Sequence, residues 1–229
     1  MKTNILYCGD CQKLLKKIDD NSIDLIIIDP PYYNNLKSIK WDNQWKTLND
    51  YINWLSDIFA ILSEKIHKGF FFCFCDVRLS SYIIDIGEKN CFAYKNFIVW
   101  YKKNYYKFTP FDRLRNNWEG LLMFAKGKNK LNIWEQNNSE KLLYNDVWEF
   151  AQPQSNFKKD KKQHITQKPI KLIENIIQIA SQENNNVLDC FAGVGTTLVA
   201  CKKLNRKYIG IEIDSDFCKI TKIRLKEIK

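Results

Sequence analysis

The chain has 229 residues, 45% of them hydrophobic and 27% charged, enough for one well-buried core and with nothing that demands a second domain. Its 36 Lys plus Arg against 26 Asp plus Glu leave a formal charge of +10, which favours a polyanionic partner, either nucleic acid or an anionic membrane. No apolar run approaches membrane-spanning length and Met1-Lys2-Thr3-Asn4 leads straight into a strand-like segment, so neither a transmembrane helix nor a signal peptide is predicted.

In chain order, Asn4 to Cys8 reads as a strand, Gly9-Asp10 as its turn and Cys11 to Ile18 as a short helix with Leu14, Leu15 and Ile18 on one face. Ile23 to Tyr32 follows, I-D-L-I-I-I-D-P-P-Y. Its run Leu25-Ile26-Ile27-Ile28 is too short and too β-branched for a helix, so it predicts a buried strand of a parallel sheet. Pro30 and Pro31 lack the N–H that a ladder needs, and Pro30 forces Asp29 into an extended conformation, so the strand stops with a carboxylate at its tip. Residues 33 to 46 are polar and aperiodic, predicting a functional loop. Thr47 with Asp50 signals a helix start, and Tyr51, Trp54, Leu55, Ile58, Leu62 and Ile66 repeat at helical spacing until Gly69.

Gly69 to Asp76 is a second buried strand ending in a carboxylate, Val77 to Lys89 a helix, and Asn96 to Tyr101 and Trp118 to Ala125 two further strands, one of them expected to run antiparallel. From about 128 to 163 the patterning is weak. This stretch predicts a loop-rich insertion with a short strand around Val147-Trp148. Regularity then resumes: a helix from Pro169, the strand Val187-Leu188-Asp189, a helix from Thr196 to Leu204, the strand Tyr208 to Ile213, and a closing helix capped by Asp214 or Ser215. The eight cysteines mostly lie in apolar segments and read as small core residues of a reduced, cytoplasmic protein. Cys8-x-x-Cys11 has no matching second pair, so no metal site is predicted.

Two stretches carry chemistry. At the tip of the first buried strand, Asp29, the Pro30 carbonyl and the ring of Tyr32 can accept hydrogen bonds from an amino group and stack on the flat ring that bears it, which describes a nucleobase pocket. A strand end whose Asp29 only caps the next element is the plainer alternative. Asp189-Cys190-Phe191-Ala192-Gly193-Val194-Gly195-Thr196-Thr197 runs from strand through a glycine-bearing turn into a helix. The next strand then ends on Glu212, where a Rossmann-type unit holds a ribose diol.

Together these residues resemble the β group of DNA amino-methyltransferases that use S-adenosylmethionine, over nearly the whole chain. Asp29-Pro30-Pro31-Tyr32 matches the catalytic D-P-P-Y, Asp189 to Gly195 the cofactor motif D-P-F-x-G-x-G, and His164-x-Thr166-Gln167-Lys168-Pro169 the preceding H-P-T-Q-K-P. Ile165 and Cys190 stand where that pattern has proline. The resemblance implies an α/β fold with a seven-stranded, mostly parallel sheet of Rossmann type, helices on both faces and a circularly permuted motif order. The strands Asn4 to Cys8 and Tyr208 to Ile213 would then be neighbours. It implies adenine N6 as the acceptor, in a base flipped from double-stranded DNA, within a restriction-modification system.

It further implies that Asp189 lies near the methionine ammonium, Glu212 holds the ribose hydroxyls, Asp10 lies near the cofactor adenine, and Thr166 and Lys168 meet the methionine carboxylate. His164 would be a positioning group, and Phe191, Ala192, Gly193, Gly195 and Thr196 would form the cofactor loop. For DNA, Lys102, Lys103 and Tyr105 belong to an aromatic and cationic stretch, although an ordinary strand end with snorkelling lysines reads the same way. Lys158, Lys159, Lys161 and Lys162 are expected on phosphate. Cytosine-N4 methylation is the first rival, followed by an RNA substrate and a non-catalytic DNA-binding subunit. A homodimer and a cognate restriction endonuclease are the further partners expected.

Overall fold

The computed structural model describes residues 1–33, 43–104, 114, 116–132, 145–153 and 167–228. The elements are β1 (Ile5–Cys8), α1 (Cys11–Leu15), β2 (Ile23–Ile28), α2 (Leu48–Lys65), β3 (Ile66–Cys75), α3 (Ser80–Lys89), β4 (Ala93–Tyr101), β5 (Trp118–Lys126), β6 (Val147–Glu149), α4 (Ile170–Ala180), β7 (Asn186–Asp189), α5 (Thr196–Lys203), β8 (Lys207–Glu212) and α6 (Ser215–Lys226). All strands join one sheet in the order β1-β8-β7-β2-β3-β5-β4-β6. Only β5 runs antiparallel to its neighbours. The sheet thus has eight strands where seven were expected. The strand beyond those seven is β6, the short strand expected around Val147-Trp148, which pairs Val147–Glu149 along Val99–Tyr101 and covers backbone groups that the β4 edge would otherwise expose.

Side chains alternate across each strand, so β3 sends Phe70, Phe72 and Phe74 to one face and Phe71, Cys73 and Cys75 to the other. The first set packs with Leu172, Ile173, Ile176 and Ile177 of α4 and Leu198 of α5. The second packs with Leu15 of α1, Leu55, Ile58 and Phe59 of α2 and Ile83 of α3. Both faces are therefore covered, which is why β2 and β3 read as continuous apolar runs. β1 pairs with β8 from Ile5↔Ile209 to Cys8↔Glu212, so the strands nearest the two chain ends are neighbours.

Several boundaries differ from the sequence expectation. The helical pattern through Ile66 stops at Lys65, and Ile66 already pairs with Ile23 as the first residue of β3. Gly69 is a strand residue, not a helix terminator: a Cβ there would lie 2.1 Å from the Asp24 carbonyl oxygen. Thr47 and Asp50 form the full capping box. Pro169 is the N-cap of α4 rather than part of its first turn, and Asp214, not Ser215, caps α6. Val77–Leu79 is a 3-10 turn capped by Asp76 ahead of α3.

The switch point lies between β7 and β2, from which the chain winds outward in both directions, and open α/β sheets bind ligands outside the strand ends at such a point. Because Gly69 lets β2 and β3 approach, Gly69→Ala should destabilise the protein by about 1 to 3 kcal/mol through overpacking against backbone. Denaturant unfolding of both proteins checks this, and equal midpoints would refute it.

Candidate active site

Asp29 leaves β2 at the switch point. Behind it, Tyr51 of α2 donates its hydroxyl to the Pro31 carbonyl at 2.9 Å, a bond that fixes the backbone of the Pro-Pro turn from a ring that is 1% exposed. Tyr33, Trp45 and Trp54 surround Tyr51 at centroid distances of 5.7, 4.9 and 5.9 Å, and Trp54 reaches Phe191 at 5.8 Å. Aromatic packing thus ties the Asp29 turn to the loop after β7.

Asp29 belongs to a cluster of buried charges. Lys168, just before α4, places its ammonium 2.6 Å from Asp29 Oδ2 and 2.8 Å from Glu119 Oε1. Glu119 Oε2 receives Lys102 at 2.8 Å. The Tyr32 hydroxyl lies 2.8 Å from Asp29 Oδ1 and 2.7 Å from Glu119 Oε1. Two carboxylates and two ammoniums balance the charge locally, as burial requires. Burial pushes the Asp29 carboxyl up; Lys168 pulls it down and Glu119 pushes it up further, and the net shift is upward. Burial acts the same way on Glu119, but its two lysines outweigh it and hold the carboxyl at about 2. Burial would strip the Lys168 proton, yet Asp29 and Glu119 raise its affinity above the ordinary lysine value. Burial and both carboxylates keep the Tyr32 phenol protonated.

Glu119 is the site residue that the sequence reading missed. β5 runs antiparallel, so its first residues, not its last, reach the strand tips where Asp29 lies, with Gly120 opposite Cys75. The available signal was one acid in the otherwise apolar strand Trp118–Lys126. The same register sets Trp100 beside Glu119 and brings Lys102, expected at DNA, onto Glu119, with its side chain 12% exposed. Lys103 is 71% exposed and pairs with Glu149 at 2.7 Å on the surface. Lys168, expected at the cofactor, lies against Asp29 and Glu119 in this structure. Tyr105, Lys158, Lys159, Lys161, Lys162, His164 and Thr166 lie outside the described residues.

The second half of the site is the loop from β7 into α5. Gly193 and Gly195 have φ of 51° and 76°, and a Cβ on Gly195 would lie 2.3 Å from Thr221 Cγ2, whereas one on Gly193 would meet nothing within 4 Å. Glu212, at the tip of β8, binds the Gly193 N–H through Oε2 at 2.7 Å and the Asp214 N–H through Oε1 at 2.8 Å. Thr221 donates to the Gly193 carbonyl at 3.0 Å, Arg224 donates to the Val194 carbonyl, and Thr196, the first residue of α5, lies 3.4 Å from Arg224 Nη1. Ala192 and Phe191 complete the turn, with the Ala192 N–H on the Ile211 carbonyl and the Phe191 N–H on Asp189 Oδ1 at 3.0 Å. Asp10, two residues past β1, caps α1 by accepting from the Lys13 N–H at 3.0 Å.

Asp189 is 5% exposed, and no cation pairs with it among the described residues. Burial raises its carboxyl to about 7 against the pull of hydrogen bonds from Thr197 and the Phe191 N–H. A buried carboxylate in that state fits a ligand that brings its own positive charge, and the open space over Gly193 fits close approach to the loop.

A family model described as DNA methylase matches residues 23–223. The chain is 34% identical to the type II methyltransferase M.HpaI of Haemophilus parainfluenzae, over 96% of this chain and 73% of that one. It is 30% identical to the DNA adenine methyltransferase YhdJ of Escherichia coli (strain K12), over 95% and 81%. Among solved structures, the M1.HpyAVI-SAM complex superposes with a TM-score of 0.74 at 30% identity, covering 96% of this chain and 98% of that one. The cytosine-N4-specific PvuII DNA methyltransferase shares the fold, with a TM-score of 0.81 at 18% identity over 98% and 86%.

The Asp189 shift has a sign that can be measured. The folded carboxyl holds its proton to about 7, while the unfolded one releases it near 3.8. Between those values the folded state binds more protons, so this group's contribution to stability falls as pH rises through the window. The unfolding free energy of the cofactor-free protein should therefore decline from pH 4 to 7 relative to Asp189→Asn. Parallel profiles for the two proteins would show that Asp189 is ordinarily ionised.

Proposed function

The chain belongs to the DNA methylase family, and we propose that it transfers a methyl group to N6 of an adenine flipped from double-stranded DNA. The observation that carries this reading is the Asp29 carboxylate beside Tyr32 at the switch point, one strand away from the cofactor loop. The cofactor is S-adenosylmethionine, which when bound supplies a methyl group on a sulfonium already set to leave. Asp189 would meet its methionine ammonium, Glu212 its ribose hydroxyls and the turn Phe191 to Thr196 its flank. Each Glu212 oxygen, already holding one backbone N–H, keeps acceptor capacity for a hydroxyl.

The chain's own work is on the base. Adenine N6 is a weak nucleophile because its lone pair is delocalised into the ring. Accepting one amine hydrogen on the Asp29 carboxylate and the other on the Pro30 carbonyl localises that pair and aims it. Tyr51 keeps the turn that presents both acceptors from drifting. Tyr32 would stack on the flipped ring. Positioning and fixed charges supply the acceleration, and no covalent intermediate with the protein is required. Asp29, where cytosine-N4 enzymes more often have serine, favours adenine, as does the identity to YhdJ.

The four lysines Lys158, Lys159, Lys161 and Lys162 we assign to phosphate, which adds affinity without reading sequence. A cytoplasmic location agrees with eight cysteines that form no disulfide, and no helix among the described residues is long and apolar enough to cross a membrane. A role in a restriction-modification system, with a cognate endonuclease and as a homodimer, completes the reading.

Asp29→Ala should abolish transfer of labelled methyl to DNA and leave cofactor affinity nearly intact; substantial residual turnover would remove Asp29 from the chemistry. Digestion of the product and identification of the modified nucleoside decides between N6-methyladenine and N4-methylcytosine, and absence of incorporation by the wild type would mean a non-catalytic DNA-binding protein. Glu212→Ala should weaken cofactor binding by about 1 to 3 kcal/mol, the worth of a charge-assisted hydrogen bond. An unchanged dissociation constant by calorimetry would leave Glu212 as a loop brace alone.

A further inference from the structure

We propose that Glu119 is a positioning residue for methyl transfer: a fixed counter-anion that holds the Lys168 ammonium and the Tyr32 hydroxyl, and so keeps the Asp29 carboxylate open to the amine of the target base. This rests on the reading that Asp29 receives that amine. The geometry behind it is a shared set of donors. Lys168 stands 2.6 Å from Asp29 and 2.8 Å from Glu119, and Tyr32 stands 2.8 Å from Asp29 and 2.7 Å from Glu119, so these two donors on the catalytic carboxylate both also touch Glu119.

Tyr32 has one phenolic proton for two carboxylate oxygens. If it points to Glu119, Asp29 Oδ1 faces a lone pair and lacks a donor, which is the condition an incoming N–H relieves. The ammonium of Lys168 is itself an N–H donor on Asp29 and competes with the amine for that carboxylate. Glu119 offers it a second anion within reach, already anchored from behind by Lys102 at 2.8 Å. With two lysines holding its carboxyl down at about 2, Glu119 is unsuited to accept the proton that N6 loses. It acts through Lys168 and Tyr32, on the charge and the access of Asp29.

Removing that anion has a predictable electrostatic consequence. The groups that face Asp29 are Tyr32 in its own turn, Cys73 and Cys75 on β3, Glu119 on β5, Asp189 on β7 and Lys168 before α4, with Lys102 of β4 behind Glu119. Among the charged neighbours acting on it, Lys168 lowers the Asp29 affinity for a proton and Glu119 raises it. Without the Glu119 charge, Lys168 also has Asp29 as its remaining anion in the cluster. Both changes move Asp29 titration to lower pH while closing it to the amine.

The test compares wild type, Glu119→Gln and Glu119→Asp on duplex DNA carrying the methylated site, once that site has been mapped with the wild-type protein. Four quantities are measured: kcat and KM for methyl incorporation, the acid limb of kcat/KM, the cofactor dissociation constant, and the emission of 2-aminopurine placed at the target position. That analogue has no 6-amino group, so its flipping does not depend on capture by Asp29. Glu119→Gln should lose roughly 10- to 100-fold in kcat, the scale of a misplaced reacting group. Its acid limb should move to lower pH, with cofactor affinity and 2-aminopurine emission unchanged. Glu119→Asp keeps the charge, so it should keep the wild-type acid limb and recover part of kcat. Wild-type kcat in Glu119→Gln would overturn the inference. So would loss of cofactor affinity and emission together with kcat while the acid limb stays in place, because Glu119 would then be a scaffold group. A wild-type protein that methylates no DNA would overturn the reading of Asp29 itself, and the inference with it.

Discussion

Four charged side chains, Asp29, Glu119, Lys168 and Lys102, are packed at the strand tips where little water can share them. Lys168 is buried and Asp29 is 28% exposed, so the ammonium depends most on its two carboxylates; removing one partner of a buried charge typically costs about 3 to 5 kcal/mol by leaving it uncompensated. The residues come from β5, from the turn after β2, from the end of β4 and from the approach to α4. Holding them together therefore fixes how the two halves of the sheet and the first helix of the C-terminal half meet at the strand tips.

The sheet topology explains why the cluster forms at this place and no other. All the parallel strands end on the same edge, so Asp29, Asp189, Glu212 and the turn bearing Asp10 lie along it by direction alone. The reversed strand β5 contributes its beginning to that edge, which adds Glu119 to the acids at the parallel strand ends. The cofactor side is organised differently, by backbone rather than by charge pairs. Glu212 ties Gly193 and Asp214 through their N–H groups, and left-handed glycines keep side chains out of the approach. Asp189 is buried with no cation paired to it among the described residues, a cost that a positively charged ligand would offset on binding.

Between these two centres runs the aromatic set Tyr33, Tyr51, Trp54 and Phe191. It joins the Pro-Pro turn to the cofactor loop across α2, and Tyr51 adds a hydrogen bond to the Pro31 carbonyl. A rigid spacer of this kind sets the distance between the Asp29 turn and the loop after β7, the two places where the proposed reaction would hold the amine and the methyl donor. A misplacement of that distance by about 1 Å can cost 100-fold in rate.

The sequence by itself determined the buried strand ending at Asp29, the glycine-bearing turn from Asp189 to Thr196, the acid at the tip of the strand ending at Glu212 and the helices with clear 3.6-residue periodicity. Each depends on neighbours within a few positions: an apolar run, a proline, a pair of glycines, a capping box. The pairing of the first and last strands followed from motif order and is borne out in the register of Ile5 with Ile209. What only the tertiary structure decided depends on residues distant in the chain. Gly69 was misread as a helix terminator because its constraint comes from the Asp24 carbonyl of another strand. The pairing of Lys102 with Glu119 was not foreseen, and Glu119 was passed over, because a charge declares its role through its partner. Those partners, Glu119 for Lys102 and Asp29 with Lys168 for the site, are brought together by strand direction and burial, which local patterning does not encode.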